Sequence, residues 1–505
     1  MISRSARRAA ACLASATALI AVAAPGTALA KKGGPETDRL EQCAGESIVG
    51  RGSTFQNPAQ LVWQPGFNAN AGKTGCNGTQ GSKAKPTATY RNTEKADRGS
   101  GACLKAFGAE KEAKANPEYD FCGTDEAPNA TQKAEIEAHK TGGEANSLLT
   151  VPVLQGAVAV IVHLPKGCLA SSNANVNKKS SELGRLVMDN ATVDGLFNGT
   201  IKTWAGVLAA QKNDSMKCEN EAEKNDEIKI VVRTDHSGTT HIFKAFLSLV
   251  DSSPIEMEEY LESYDGSGTG CGAVFPAEEK TWAEVSEACP NQRWPLATHV
   301  IRNTEAGNPG VINLVHSTES SVGYADLAVA REYKFFSSSY KEGEVEKRGG
   351  EKKKGEQNNE FWAPIQNGAT AESTYADPSS KGDNEKLASS NCKNTKYIEN
   401  GEKQFPPEST RALWNQAKAA LVEEHYALCG LTYDLAYREY KPYLSGTPFE
   451  AKGKGIATTV ENYLMYEVSS KGGGKEVKNH DYEALPKAVI KEAEAGIAEV
   501  GYEKA

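Results

Sequence analysis

Positive charge is not in excess in this sequence. Its 505 residues carry 57 Lys+Arg against 66 Asp+Glu, a formal net charge of −9, which argues against a nucleic-acid binder that tracks phosphates with a basic face. With 21 Pro and 47 Gly, there is too little of either for a collagen-like or wholly disordered chain. Beyond the first thirty residues no segment is apolar enough to span a bilayer, which takes about 20 strongly apolar residues. No cysteine pair has C-x-x-C spacing, so a zinc ribbon or thioredoxin-like site is not expected. The G-x-S-x-G of a nucleophile elbow is also missing. His236 and His241 stand at i,i+5 without a companion ligand set, so no metal and no cofactor is expected.

What is present begins with an export signal. Arg4, Arg7 and Arg8 precede a small-residue apolar stretch from Ala9 to Ala24, and Ala28-Leu29-Ala30 ends it as a cleavage site. Removing residues 1–30 takes away three arginines and no acidic residue, so the net charge moves from −9 to −12. Cys12 stands too early to be a lipid-attachment site. The mature protein is expected to be exported and soluble, in a periplasm, cell wall or outside the cell. Its ten remaining cysteines allow up to five disulfides, with sequence neighbours such as Cys271 and Cys289 expected to pair.

At roughly 150 residues per domain the length suggests two to four domains. Residues 31–44 read as a flexible polar leader. Ser147 to His163 (SLLTVPVLQGAVAVIVH) reads as buried strand. Glu227 to Arg233 is a second strand, followed by a Ser/Gly/Thr turn and the apolar run Ile242 to Val250. This order of strand, turn and helix indicates an α/β chain. A polar insertion spans about 335–425, within which Glu342 to Glu360 and Ala369 to Asn400 read as surface insertions. Leu485, Val489, Ile490, Ala493, Ile497 and Val500 recur at helical spacing and predict an amphipathic final helix.

Four segments carry candidate chemistry. In the first, Arg233-Thr234-Asp235-His236-Ser237-Gly238-Thr239-Thr240 ends a strand and opens a helix. The first N–H groups of a helix lack intrahelical partners and sit at its positive end, so an oxyanion is a natural guest. Ser237 and Thr239 add hydroxyl donors, Gly238 permits close approach, and Arg233 offers a two-pronged donor. The segments Gly50-Arg51-Gly52-Ser53-Thr54-Phe55 and Asp97-Arg98-Gly99-Ser100-Gly101-Ala102 each place a hydroxyl at a helix opening. The fourth, Asp120 to Pro128, supplies Asp125, a carboxylate that suits an anion only if that anion carries a proton to donate. Each segment taken singly also reads as an ordinary cap or turn.

Together these segments resemble the phosphate-binding proteins of bacterial phosphate ABC transporters (the PstS family). The match rests on a G-x-G-[AS]-T-F opening at 50–55, G-S-G at 99–101, D-F-x-x-[ST]-D-x-A-P at 120–128 and R-x-D-x-S-G-T-T at 233–240. Landmarks such as Leu196 to Trp204 and Gly307-Asn308-Pro309-Gly310-Val311 extend it over nearly the whole mature chain. The resemblance implies an α/β, two-lobed type II periplasmic-binding-protein-like fold with discontinuous lobes and a ligand cleft between them. Lobe 1 would comprise 45–157 and 432–505, and lobe 2 would comprise 158–431, crossing near Val158 to His163 and returning near Leu428 to Tyr437. It implies phosphate ligands at Thr54, Phe55, Ser100, Asp125, Arg233, Ser237, Gly238 and Thr239, with Asp235 orienting Arg233. It further implies a monomeric, non-enzymatic receptor whose partners are inorganic phosphate and the membrane permease subunits, with no nucleic acid. The chain departs from the pattern at His236, at Glu126 and in its cysteine number.

Rival readings are fewer. Gly66 to Thr74 nearly spells a phosphate-binding loop, but five residues separate its glycines and no apolar strand precedes it. A hydrolase built on Asp235, His236 and Ser237 fails because adjacent side chains diverge and cannot form a relay. A binding protein for sulfate or molybdate remains, and Asp125 argues against it.

Overall fold

The computed structural model describes residues 45–503 except 70–85, 95–96, 110–114, 139–147, 171–185, 212–215, 262–273, 287–289, 304–306, 334, 336–344, 348–350, 354–358, 369–374, 381–387, 394, 396, 400–416, 420 and 422–425. The expected signal, the leader and the Cys271–Cys289 pair lie outside the described residues. No helix among the described residues is long and apolar enough to cross a membrane.

One ten-stranded sheet organises the chain. Its strands are β1 (Ile48–Gly52), β2 (Ala88–Arg91), β3 (Phe121–Thr124), β4 (Leu148–His163), β5 (Lys229–Val232), β6 (Val300–Arg302), β7 (Ser321–Asp326), β8 (Glu360–Ala363), β9 (Cys429–Tyr437) and β10 (Tyr482–Glu483). Their order is β6-β5-β7-β4-β9-β3-β1-β2, with β8 and β10 also on β4. The helices that bear on the site are α1 (Asn57–Asn68), α2 (Ser100–Ala106), α3 (Gly238–Val250), α4 (Asn308–Ser317), α5 (Gly453–Val468) and α6 (Lys487–Ile497).

β4 explains the architecture. All sixteen of its residues are buried, as its Val/Leu/Ile-rich sequence suits a strand covered on both faces. Leu148–Ala157 pair antiparallel with β9, and Val158–His163 pair antiparallel with β7. One continuous strand therefore serves two half-sheets, and its partner changes between Ala157 and Val158. Beyond β9 the strands β1, β2 and β3 run parallel, and beyond β7 the strands β5 and β6 do the same. The result is a two-lobed α/β fold in which both lobes present the ends of parallel strands to a shared cleft. Pro152 lies beside a register shift at Thr432/Tyr433, where the ladder tolerates a residue without an N–H.

Each lobe has its own aromatic core. Phe67 and Phe121 pack on Tyr463 of α5 with centroids 4.9 and 5.3 Å apart, while Phe243 packs on Phe197 and Tyr324 at 4.5 and 4.6 Å. The final helix α6 turns Val489, Ala493 and Ile497 inward, as its periodicity predicts. The 335–425 region is not confined to the surface. Glu360–Ala363 form a core strand antiparallel to β4, with Phe361 and Trp362 buried. Disulfides join Cys103 to Cys122, Cys168 to Cys218 and Cys392 to Cys429, each a cysteine to its next in sequence.

Candidate functional site

The strand-to-helix turn after β5 forms as its sequence predicts. Ser237 caps α3 by accepting the Thr240 N–H at 3.0 Å. Arg233, at the end of β5, is only 2% exposed. Its Nε donates to Asp235 Oδ1 at 2.6 Å and its Nη2 to Oδ2, a two-pronged clamp. Nη1 is buried with no hydrogen-bond partner among the described residues. Burial works against the charge, but Asp235 more than offsets it and holds the guanidinium above its ordinary pKa. The Gly307 N–H steadies Asp235 Oδ2 at 3.3 Å from the start of α4.

Asp125 follows β3 and is 3% exposed. Its Oδ1 accepts from Ser53 Oγ and from Thr432 Oγ1, the latter at 2.9 Å. Burial pushes its carboxyl up to about 6, against the opposing effects of Ser53, Thr432, Arg233 and Ser100. The carboxylate is the main form at neutral pH, so this group accepts hydrogen bonds there.

The two lobes meet around these charges. Ser100 Oγ accepts from Asp125 N at 3.0 Å in its own lobe and from Gly238 N at 3.2 Å in the other. A Cβ on Gly238 would lie 2.6 Å from both Asp125 Cβ and Ser100 Oγ, so only glycine allows this approach. Thr54 Oγ1 accepts from Asn308 N and Nδ2, both at 3.1 Å, and Asn308 Nδ2 also reaches Thr239 Oγ1 at 3.2 Å. Gly307 adopts φ +90°, and a Cβ there would lie 2.5 Å from Thr54 Cγ2. Phe55 is fully buried, and its carbonyl accepts from the Tyr482 hydroxyl. All nine residues singled out in the sequence thus converge, from both lobes. They join hydroxyls, backbone N–H groups, one cation and one acceptor, a set suited to a tetrahedral oxyanion that keeps a proton.

Sequence reasoning missed three contributors. Ser53 sits inside a segment that was recognised, but its partner was not. Asn308 begins α4 within the Gly307–Val311 landmark and ties Thr54 to Thr239. Thr432 left one trace, as a polar residue in the mostly apolar run of β9. The departures His236 and Glu126 both lie at the join between lobes. The His236 carbonyl accepts from Gly101 N at 3.3 Å, and Glu126 Oε2 accepts from Asn291 Nδ2 at 3.4 Å. Asp235, His236 and Ser237 form no relay, since Asp235 faces Arg233 and the Ser237 oxygen caps α3. Among the described residues the one group spaced to share a metal ion is Cys168, Cys218 and Glu223, and its two cysteines are bonded to each other.

Comparison with known proteins bears on the fold and the family. The curated phosphate-binding protein PstS of Methanocaldococcus jannaschii is 28% identical over 188 residues, or 37% of this chain, and the match spans 36% of that relative's length. Two solved structures have a TM-score of 0.50. One, a high-affinity periplasmic phosphate-binding protein bound with phosphate, is 13% identical and aligns over 89% of this chain and 93% of its own. The other, a DING protein, is 14% identical and aligns over 89% and 94%. At such identities the two structures speak for the fold. A family model described as a PBP superfamily domain matches residues 41–376, and the chain belongs to that family.

Proposed function

We propose that this chain captures inorganic phosphate in the cleft between its lobes and delivers it to an ABC permease. The observation that carries the reading is the juxtaposition of a buried, charge-clamped Arg233 having one unpartnered nitrogen with a buried acceptor, Asp125. A cation alone would suit any oxyanion. A carboxylate beside it favours an anion that brings a proton, which monohydrogen and dihydrogen phosphate do and sulfate does not.

In this reading Arg233 neutralises charge, Asp235 orients it, and Asp125 accepts the ligand's proton. Thr54, Ser100, Ser237 and Thr239 donate from hydroxyls, with Phe55 and Gly238 contributing backbone N–H groups. The lobes close on the ligand and offer a joined surface to the permease. We assign lobe 1 to 45–157 and 432–505 and lobe 2 to 158–431; the change of β4's partner between Ala157 and Val158 supports the first of these crossings. The chain works as an exported monomer rather than an enzyme, and its negative net charge leaves recognition to local donors.

Equilibrium titration with phosphate, sulfate and molybdate tests this. Saturable phosphate binding at one site with sulfate excluded is expected. Tight sulfate binding, or no phosphate binding, would sink the reading. A phosphatase assay addresses the hydrolase rival, which turnover lost on Ser237→Ala would favour.

A further inference from the structure

Asp125 is held on one side by two hydroxyls that come from opposite ends of the sequence. Ser53 Oγ and Thr432 Oγ1 both meet its Oδ1. Against an ionised Asp125, which can only accept, both hydroxyls donate. The Ser53 oxygen also accepts the Gln56 N–H at 3.1 Å, which leaves its proton free for Asp125. Thr432 Oγ1 faces two acceptors, Asp125 Oδ1 at 2.9 Å and the Thr124 carbonyl at 3.2 Å, and the carboxylate is the nearer and the stronger. Thr432 also sits where the β9–β4 register shifts, pairing with Leu154 while Tyr433 pairs with Pro152. Irregularities of this kind re-aim a side chain. Ser53 and Thr432 are both fully buried, and β9 is otherwise mostly apolar, so packing alone would be served by valine at 432.

We propose that Ser53 and Thr432 are positioning residues that set the anion selectivity of the cleft, by occupying Oδ1 as donors and leaving Asp125 to act on the ligand only as an acceptor. The inference rests on the phosphate reading above and deepens it. An ionised carboxylate repels the unprotonated oxygen of sulfate, whereas a protonated carboxyl donates to it. Whatever keeps Asp125 ionised therefore keeps sulfate out.

Both hydroxyls favour the ionised form against burial, which still leaves Asp125 at about 6. Other groups face it from several elements. Arg233 also favours ionisation. Asp326 of β7 is pushed well up by burial, and the phenols of Tyr90, Tyr433 and Tyr482 are raised by burial too. His241 lines a pocket beside Asp125, with its Nδ1 2.9 Å from the Ser286 carbonyl. Asp125 is thus the carboxyl in this set whose ionisation the two hydroxyls govern.

Sulfate is the probe, because it holds one charge state across roughly pH 5 to 8 while Asp125 titrates. Its affinity for the full mature chain is measured against pH, beside phosphate, for wild type, Thr432→Val, Thr432→Ser and Ser53→Ala. In the wild type, sulfate binding is expected to emerge as pH falls through about 6. Thr432→Val moves that midpoint upward by about one unit, which raises the sulfate-to-phosphate affinity ratio near neutrality roughly tenfold. Ser53→Ala moves it the same way, and Thr432→Ser restores the wild-type profile. A valine variant that binds phosphate with its sulfate profile unmoved overturns the inference while leaving the phosphate reading intact. So does a serine variant shifted as far as the valine one, or a wild type whose sulfate rejection does not depend on pH. A wild type that binds no phosphate overturns both.

Discussion

In lobe 1 the charge that faces the cleft is a carboxyl, Asp125, steadied by hydroxyls; in lobe 2 it is a guanidinium, Arg233, clamped by a carboxylate. Both are nearly fully buried. Burial raises Asp125 to about 6, yet Arg233 keeps its charge because Asp235 sits against it. A second cation in lobe 2 shows what the clamp does. Lys244 of α3 is also fully buried, donates to the Arg293 carbonyl and lies 4.2 Å from the Trp294 ring centroid. Burial first, then the charges of Arg302 and Arg293, drive its pKa well below the ordinary value. Burial and neighbouring cations thus disfavour the charge on Lys244, whereas the paired carboxylate holds Arg233 above its ordinary value. In the proposed reading the lobes divide the work accordingly: lobe 2 supplies charge, and lobe 1 supplies the acceptor that selects among anions.

Breaking the clamp should have the largest effect. Arg233→Gln removes the cation and leaves Asp235 buried and unpaired, a loss of about 3–5 kcal/mol. Calorimetry should show every oxyanion weakened alike. Selective loss of phosphate would contradict the division. Asp125→Asn comes next, with phosphate weakened by about 1.5–3 kcal/mol, the worth of a charge-assisted hydrogen bond. Sulfate rejection should relax in the same variant. Gly238→Ala acts on the join itself, since its Cβ meets Asp125 Cβ and Ser100 Oγ at 2.6 Å. It should cost about 1–3 kcal/mol of closure, as overpacking does, and reduce ligand-induced compaction in solution scattering while leaving the anion ratio unchanged.

The smallest effect is on stability without ligand. Asp125 is raised to about 6 in the folded chain, above its unfolded value of about 3.9, so the folded state binds that proton more tightly. Its contribution to stability is greatest below pH ~4 and declines as pH rises through about 6. Asp120, raised by burial to about 7, extends the decline upward. Melting temperature against pH should fall over this range, and less steeply in Asp125→Asn. An identical slope would remove Asp125 from the account.

Much of the site was readable because its elements are local. The β5–α3 turn, the Ser100 opening and the 120–128 segment each carry their chemistry within about ten residues, as cap and turn rules require. Thr432 was not readable in this way, since it meets Asp125 across a sequence separation of 307. β8 was hidden for another reason. Its four residues, Glu360–Ala363, follow a Lys/Glu/Gly-rich run, and a strand that short leaves no periodic signal of its own. β4 was the opposite case, where a sixteen-residue, mostly apolar stretch announced burial, but only pairing revealed that one strand serves both lobes.

The most direct test is the sulfate-to-phosphate affinity ratio at a fixed pH near neutrality, measured in the wild type and in Asp125→Asn and Arg233→Gln. The division of labour between lobes predicts a low ratio in the wild type, a raised ratio in Asp125→Asn and a ratio close to wild type in Arg233→Gln. An unchanged ratio in Asp125→Asn would contradict it.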